Sequence, residues 1–191
     1  MTVGNWDIAT QTCALTQNLS AQITIADNGI TLDGAGHTVS GGGMGIWIAG
    51  RTSVTVKNGV IRGVDTGISV YRSTQVTLID NIITSSEYGI LLSETTDSSV
   101  TGNTTSGSGN GVELDNALHN SVTGNQMANQ YYAFFSYHSG ETTLAGNTVT
   151  YSARGIYLWL SPNSSVRQNV VTAQQFGISL DQSPNSLLFD N

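Results

Sequence analysis

The sequence predicts one all-β domain, a single-stranded right-handed parallel β-helix (β-solenoid) of about seven to eight coils. Three observations predict it: a repeat of 22 residues, apolar residues that alternate within each repeat, and an asparagine at one fixed position of nearly every repeat. A 22-residue unit of short strands cannot bury an apolar face alone. Each coil must therefore stack on the next, at about 4.8 Å between strands.

The first strand of each coil begins at a small residue. The seven starting positions, each 22 residues after the last, are Gly45, Gly67, Gly89, Gly111, Ala133, Gly155 and Gly177. An apolar residue follows every one of them. Two residues further on the side chain is aliphatic in six of the seven coils, as in Ile68 and Val70. Counted from the apolar residue that follows the small one, alternation with period two predicts that the first and third positions of the strand point inward.

Two more strands and a corner complete each coil. Aliphatic residues mark the second strand at Val56, Leu78, Val100, Val122, Leu144, Val166 and Leu188, and the corner follows at Asn81, Asn103, Asn125, Asn147, Asn169 and Asn191, with Gly59 in the remaining coil. We expect an asparagine ladder, in which each amide bonds to those above and below and the residue accommodates a left-handed backbone. Ile61, Ile83, Val149 and Val171 mark the third strand, with Met127 and Thr105 at the same phase.

The two ends of the repeat differ. Residues 1–22 precede the pattern and are predicted to cap the first coil, because an uncovered strand edge pairs with other chains. Residues 23–191 are predicted to form the β-helix. Its pattern stops at Asn191 without a capping helix. We expect either a β-helix truncated at its C-terminal end or an end covered by another subunit, through end-to-end or lateral self-association.

Composition excludes several classes of partner. Thirteen acidic residues against six basic ones give a net charge of −7, which repels nucleic acid and anionic bilayers. No run approaches the roughly 18 apolar residues of a membrane-spanning helix, so we expect no membrane insertion. Cys13 is the single cysteine, which excludes an intrachain disulfide and a thiolate metal cluster.

Residues 30–41 read Ile-Thr-Leu-Asp-Gly-Ala-Gly-His-Thr-Val-Ser-Gly, and coils such as 155–158 and 164–169 follow them. These segments resemble the parallel β-helix repeat family. That family includes periplasmic NosD-like proteins, bacterial and archaeal surface proteins, and a domain shared by carbohydrate-binding proteins and sugar hydrolases. The resemblance covers about residues 23–191. It implies a secreted, periplasmic or cell-surface module that binds a polysaccharide or other glycan.

The resemblance carries no activity over to particular residues. The sequence has no Asp-Pro-His like that of mannuronan epimerases, no adjacent Asp pair or Gly-His-Gly like that of polygalacturonases, and no Arg-rich motif like that of pectate lyases. If the protein is an enzyme, we expect a polysaccharide hydrolase or lyase. His37, His119 and His138 fall at different phases of the coil, so we expect no metal site built from them.

The outward positions of the first strand carry the candidate site. In the upper coils they place Phe135, Tyr137, Tyr157 and Trp159 beside Glu113, Asp115 and Asp181, with His138 just beyond the strand. Aromatic rings stack on the apolar face of a sugar, and carboxylates accept hydrogen bonds from its hydroxyls. The aromatic residues, His138 and Asp181 are therefore the predicted substrate-binding set. The alternative is stacking between coils that stabilises any β-helix, or burial under a loop or partner.

Glu113 and Asp115 are the predicted catalytic pair. Two positions apart on one strand, their side chains should lie about 6–7 Å from each other, near the lower limit for an inverting glycosidase. No cofactor is required, although Ca²⁺ is the ion that such oxygen ligands suit.

Two other classes of function remain open. One is a non-catalytic structural or assembly module of a larger surface protein. The other is an ice-binding β-solenoid, because Ser99, Thr101, Ser121 and Thr123 form a short ladder of hydroxyls on the second strand.

Overall fold

The computed structural model describes residues 3–84 and 87–191, so the first two residues of the predicted cap lie outside the described part. It confirms the predicted fold class: the chain winds through about eight turns of a right-handed parallel β-helix. No helix among the described residues is long and apolar enough to cross a membrane.

In chain order the strands are β1 (Gly4–Asp7), β2 (Thr12–Leu15), β3 (Ile23–Ile25), β4 (Thr31–Asp33), β5 (Thr38–Ser40), β6 (Met44–Ala49), β7 (Thr55–Lys57), β8 (Val60–Arg62), β9 (Thr66–Tyr71), β10 (Thr77–Ile79), β11 (Ile82–Thr84), β12 (Tyr88–Ser93), β13 (Ser99–Thr101), β14 (Thr104–Ser106), β15 (Asn110–Asp115), β16 (Ser121–Thr123), β17 (Gln126–Ala128), β18 (Tyr132–Tyr137), β19 (Thr143–Ala145), β20 (Thr148–Trp159), β21 (Ser165–Arg167), β22 (Val170–Asp181) and β23 (Leu187–Phe189).

The strands form three faces. The first face runs from β3 through β6, β9, β12, β15 and β18 to the C-terminal parts of β20 and β22, and the second runs from β2 through β4, β7, β10, β13, β16, β19 and β21 to β23. The third face runs from β5 through β8, β11, β14 and β17 to the N-terminal parts of β20 and β22. The long strand β20 pairs with β17 and β18, and thereby joins the first and third faces into one sheet.

The register follows the 22-residue repeat. Ile90 pairs with Val112 on the first face, Leu78 with Val100 on the second, and Ile83 with Thr105 on the third. The predicted inward residues therefore stack on their own counterparts and fill one continuous apolar core. Since every coil repeats the same contacts, the outward side chains also stand in straight rows.

Two polar residues at inward positions find partners inside the core. Thr105 is fully buried and accepts a hydrogen bond from Nε2 of Gln130 at 2.7 Å. Ser136 is also fully buried, and its hydroxyl lies 2.9 Å from that of Ser161. Both hydroxyls are thus satisfied without water, which is how polar groups are tolerated inside a core.

The asparagine ladder is confirmed. Oδ1 of Asn125 accepts a hydrogen bond from the backbone N–H of Asn103 at 2.9 Å, and its Nδ2 donates to Oδ1 of Asn147 at 3.0 Å. Nδ2 also donates to the carbonyl of Val100, 25 residues earlier, at 2.9 Å. The ladder therefore ties adjacent coils together and also bonds the backbone of the second strand.

The predicted left-handed backbone at the ladder residue was wrong. The positive φ angles belong to the residue just before it, as at Asp80 (54°), Gly102 (66°), Gly124 (64°) and Gln168 (55°). Because the chain turns one residue earlier, the asparagine side chain is free to point into the corner.

A second polar ladder was not predicted. At the corner between the first and second faces, serine hydroxyls accept hydrogen bonds from the backbone of the preceding coil: Ser161 from the N–H of Ser139 at 3.2 Å, and Ser183 from that of Ser161 at 3.0 Å. Ser73 accepts likewise from Arg51 at 3.1 Å. The 22-residue spacing of these serines was the signal that could have revealed the ladder.

The glycines at the start of the first strand serve close packing between coils. A Cβ on Gly67 would lie 2.4 Å from the carbonyl oxygen of Gly89 and 2.5 Å from Cγ2 of Ile83. Since real Cβ atoms do not approach other atoms so closely, a side chain here would push adjacent coils apart.

The ends of the stack are unlike each other. Strand β1 pairs antiparallel with β2, and β2 pairs in parallel with β4, so the second face already begins at Thr12 within the predicted cap. At the other end, Leu187, Leu188 and Phe189 of β23 are 62%, 51% and 43% exposed. Leu188 occupies the inward position, since it pairs with the buried Val166.

Candidate functional site

The outward side chains of the first face stand in three columns, which we call together the outer strip. In the coils from β12 to β22 the first column holds Tyr88, Asn110, Tyr132, Arg154 and Phe176, the second Leu91, Glu113, Phe135, Tyr157 and Ser179, and the third Ser93, Asp115, Tyr137, Trp159 and Asp181. The structure thus brings together the predicted residues of the second and third columns. Their roles in binding or catalysis stay predictions.

The first column was missed in the sequence. Each of its members directly precedes the small residue that starts a strand, as Asn110 precedes Gly111. Gly111 and Val112 are both buried, while Asn110 and Glu113 on either side are partly exposed. Strict alternation from Val112 would place Asn110 in the interior, whereas two consecutive inward residues, Gly111 and Val112, return Asn110 to the outer face. The aromatic residues at Tyr88, Tyr132 and Phe176, 44 residues apart, were the available signal.

Four aromatic rings cluster in the upper coils. The rings of Phe135 and Tyr157 are stacked with centroids 5.7 Å apart, and Tyr132 stacks on both, at 5.2 Å and 5.8 Å. Phe176 meets Tyr157 edge-on at 5.8 Å. Stacking between coils, the simpler explanation of these aromatics, therefore occurs. The rings of Tyr132, Phe135, Tyr157 and Phe176 nevertheless remain partly exposed.

The third column holds a smaller aromatic group. Tyr137 and Trp159 lie with ring centroids 4.8 Å apart, tilted by 37°. His138 is exposed at the corner after β18, with its ring 3.9 Å from that of Tyr137. Two neighbouring coils thus present two aromatic surfaces side by side on rigid strands.

Arg154 is built into the aromatic cluster. Its guanidinium carbon lies 4.5 Å from the ring centroid of Tyr131 and 4.9 Å from that of Tyr132. Its Nη1 donates to the hydroxyls of both tyrosines, and its Nε donates to Oε1 of Gln175 at 3.0 Å. A guanidinium held between aromatic faces is stabilised by cation–π attraction as well as by hydrogen bonds. Sequence reasoning missed this residue.

The two predicted catalytic carboxylates occupy different surroundings. Burial raises the pKa of Glu113, the hydrogen bond from Nδ2 of Asn110 opposes the rise, and the charge of Asp115 adds to it. Asp115 instead accepts hydrogen bonds from Asn116 at 2.8 Å and Ser93 at 3.4 Å.

Asp181 lies at the upper end of the outer strip. It is exposed and accepts a hydrogen bond from the hydroxyl of Tyr157 at 3.3 Å. Partial burial and the charge of Asp181 together raise the pKa of Tyr157, so the phenol stays protonated and can donate. The strip therefore has carboxylates below and above its aromatic rings.

The hydroxyl ladder of the second face bonds to itself. The hydroxyl of Thr101 lies 2.9 Å from that of Ser99 and 3.1 Å from that of Thr123. Ice binding by this ladder stays a prediction, and a measurement of thermal hysteresis would test it.

Comparison with protein families finds a match over nearly the whole chain. The family model described as "Periplasmic copper-binding protein (NosD)" matches residues 3–139 and 127–191. Among the curated proteins no relative matches.

Solved structures share the architecture at low sequence identity. XylC in complex with xylose has a TM-score of 0.65 and 10% identity, over 90% of this chain and 35% of its own. The DFA-IIIase from Arthrobacter chlorophenolicus A6 without its lid has a TM-score of 0.57 and 12% identity, over 86% of this chain and 54% of its own. The chain thus spans about a third to a half of these proteins. The TM-scores show a common fold, and at identities this low they show the fold alone.

The His, Cys, Asp and Glu side chains in the described part of the chain are not arranged to bind the copper that the family's description names. His119 lies at a corner, with Nε2 2.6 Å from a carboxylate oxygen of Glu141 and Nδ1 4.0 Å from one of Asp97. In residues 3–84 and 87–191 no group of three or more His, Cys, Asp or Glu side chains is arranged to hold a metal ion. We therefore derive no chemistry from a metal, and Ca²⁺ at Glu113 and Asp115 stays a prediction.

Proposed function

The chain belongs to the NosD family of periplasmic β-helix proteins, and we propose that it is a carbohydrate-binding module whose glycan lies on the outer strip. One observation carries the proposal: partly exposed aromatic rings and carboxylates stand together on rigid strands of one face. Rings of this kind cover the apolar face of a sugar, while the carboxylates accept hydrogen bonds from its hydroxyls.

The spacing of the strip supports this proposal. Phe135 and Tyr157 lie on adjacent coils, and Tyr137 and Trp159 stand two residues further along the same strands. Side chains two positions apart on a strand are separated by about 7 Å, so the two ring pairs offer neighbouring surfaces for sugar units. Because strands hold both pairs, little conformational entropy is lost when a glycan binds.

Structures of the same fold also support a sugar ligand. XylC was solved with xylose, and the DFA-IIIase was solved with GF2, in a structure with a TM-score of 0.55 and 12% identity to this chain. The fold therefore accommodates sugars in other proteins, and the outer strip is a surface of this chain with chemistry that suits a sugar. We propose a periplasmic, secreted or cell-surface location for this binding.

Glycan binding by a double variant would test the proposal. Tyr157→Ala with Trp159→Ala removes one ring from each pair, and we expect at least a tenfold loss of affinity in affinity electrophoresis against a glycan panel. Trp6→Ala is the matched control, because Trp6 is 52% exposed in β1, outside the outer strip. Circular dichroism would establish that each variant is folded. Unchanged affinity in the double variant, or no binding by the wild type, contradicts the proposal.

A narrower proposal assigns polysaccharide cleavage to Glu113 and Asp115. Carboxylates with different surroundings can divide the roles of acid and base, and the raised pKa of Glu113 suits it to donate a proton. Substrate depletion should then disappear in Glu113→Gln and in Asp115→Asn while binding is retained. Asp80→Asn, an exposed change at another corner, is the control. Depletion that survives both substitutions would exclude this role.

A structural or assembly module is the second candidate. The observation that favours it is apolar exposure on the last coil, where Val170 is 64% and Leu187 62% exposed. A strand edge beside apolar side chains readily pairs with another strand. Sedimentation velocity over a range of concentrations should then show association that Leu187→Lys weakens. A monomer at every concentration would argue against self-association through this end.

A further inference from the structure

Acidic side chains lie one coil below and one coil above the aromatic rings that β18 and β20 carry. Glu113 and Asp115 lie one coil below the rings of Phe135 and Tyr137, and Asp181 lies one coil above Trp159. Neighbouring coils are about 4.8 Å apart, whereas charges in physiological salt are screened over about 8 Å. A glycan resting on the rings therefore lies within the electrostatic reach of the carboxylates at both ends.

Arg154, the cation in these columns, is outnumbered by the three carboxylates, and its hydrogen-bond donors are already used within the protein. A guanidinium binds an acidic group best with two parallel hydrogen bonds, either from Nε and Nη2 or from Nη1 and Nη2. In Arg154 the Nε–H donates a hydrogen bond to Oε1 of Gln175, and Nη1 donates to the hydroxyls of Tyr131 and Tyr132. In each of these two pairs of donors, one member is therefore already used within the protein. A ligand carboxylate would have to displace a bond inside the aromatic cluster.

Sugar hydroxyls meet no such obstacle. The carboxylates of Asp115 and Asp181 can accept hydrogen bonds from neutral hydroxyls, because an ionised carboxylate offers about four acceptor positions. Asp115 uses its oxygens for Ser93 and Asn116, and Asp181 accepts from Tyr157. Both carboxylates can therefore accept further hydrogen bonds, and the uncharged hydroxyls of a sugar can donate them.

Resting on the proposed function, we infer that the outer strip selects uncharged glycans and discriminates against polymers that carry carboxylate or sulfate groups. The ring surfaces bind the apolar faces of either kind of polymer. The surrounding carboxylates, without an available guanidinium edge, repel the acidic kind.

Pairs of polymers with the same backbone and different charge test this inference. Two such pairs are hydroxyethyl cellulose with carboxymethyl cellulose, and methyl-esterified with de-esterified polygalacturonan. In isothermal titration at about 20 mM salt, we expect the uncharged member of a bound pair to bind at least about tenfold more tightly. The difference should shrink at about 500 mM salt, where the screening length falls to roughly 4 Å.

Charge variants make the test specific to the strip. The double variant Asp115→Asn with Asp181→Asn should reduce the discrimination at low salt. Asp80→Asn, which removes a charge from the corner between the second and third faces, should leave it unchanged. Equal or tighter binding of the acidic members by the wild type overturns the inference and leaves sugar binding intact. Failure of every polymer in both pairs to bind overturns the proposed function as well.

Discussion

Replacement of Asn125 by alanine tests what holds adjacent coils together. Asn125 is fully buried, and its Oδ1 accepts hydrogen bonds from the backbone and side-chain nitrogens of Asn103 at 2.9 Å and 3.1 Å. Its Nδ2 donates to the carbonyl of Val100 at 2.9 Å and to Oδ1 of Asn147 at 3.0 Å. The side chain therefore bonds the coil below and the coil above.

The expected loss follows from the group that alanine leaves unpaired. The backbone N–H of Asn103 loses the side-chain oxygen it donates to, whereas the carbonyl of Val100 loses the amide of Asn125 and keeps its place in the ladder between β13 and β16. Leaving one buried polar group unsatisfied costs about 1–3 kcal/mol. Typical domains have a free energy of unfolding of about 5–15 kcal/mol. We therefore expect Asn125→Ala to remove a large fraction of the stability.

Urea unfolding followed by far-UV circular dichroism would measure this loss. Asn5→Ala, at an exposed position of β1, is the matched control, and Asn191→Ala removes the exposed last member of the ladder. Water can replace the bonds of Asn191, so both changes should lower the free energy of unfolding by no more than about 1 kcal/mol. If Asn125→Ala were no more destabilising than these two, the buried ladder would not be what stabilises adjacent coils.

Two further predictions concern packing and ionisation. Gly67→Ala should clearly lower the melting temperature, because the added Cβ would collide with Gly89 and Ile83. Gly43→Ala is the control and should change the melting temperature little, since its Cβ would lie 3.6 Å from the nearest atom. Equal effects of the two substitutions would refute the close-packing explanation. Burial raises the folded-state pKa of Glu113, so the stability contributed by its protonated form is lost as pH rises through that pKa. Glu113→Gln should therefore melt above the wild type at pH 7, by a margin that shrinks toward acidic pH; a margin independent of pH would contradict the raised pKa.

Much of the candidate site could be predicted, because alternation within a strand fixes which side chains point outward. Glu113, Asp115, Tyr157 and Trp159 therefore stand on the predicted face. Arg154 could not be placed by the same rule. The two residues after it, Gly155 and Ile156, both point inward, and this breaks the alternation near the start of the first strand of the coil. The hydrogen bonds of Arg154 depend on the positions of rings in neighbouring coils, which no local pattern specifies.

The sequence by itself determined the fold, the repeat length, the core and the asparagine ladder. In this β-helix residue i+22 lies directly above residue i, so the repeat in the sequence already specifies which residues are neighbours in the structure. Tertiary structure alone decided where the corner turns, which places the left-handed residue before Asn81 and not at it. It also decided the surroundings of Glu113, because burial and hydrogen bonds depend on distances between coils that spacing along the chain does not give.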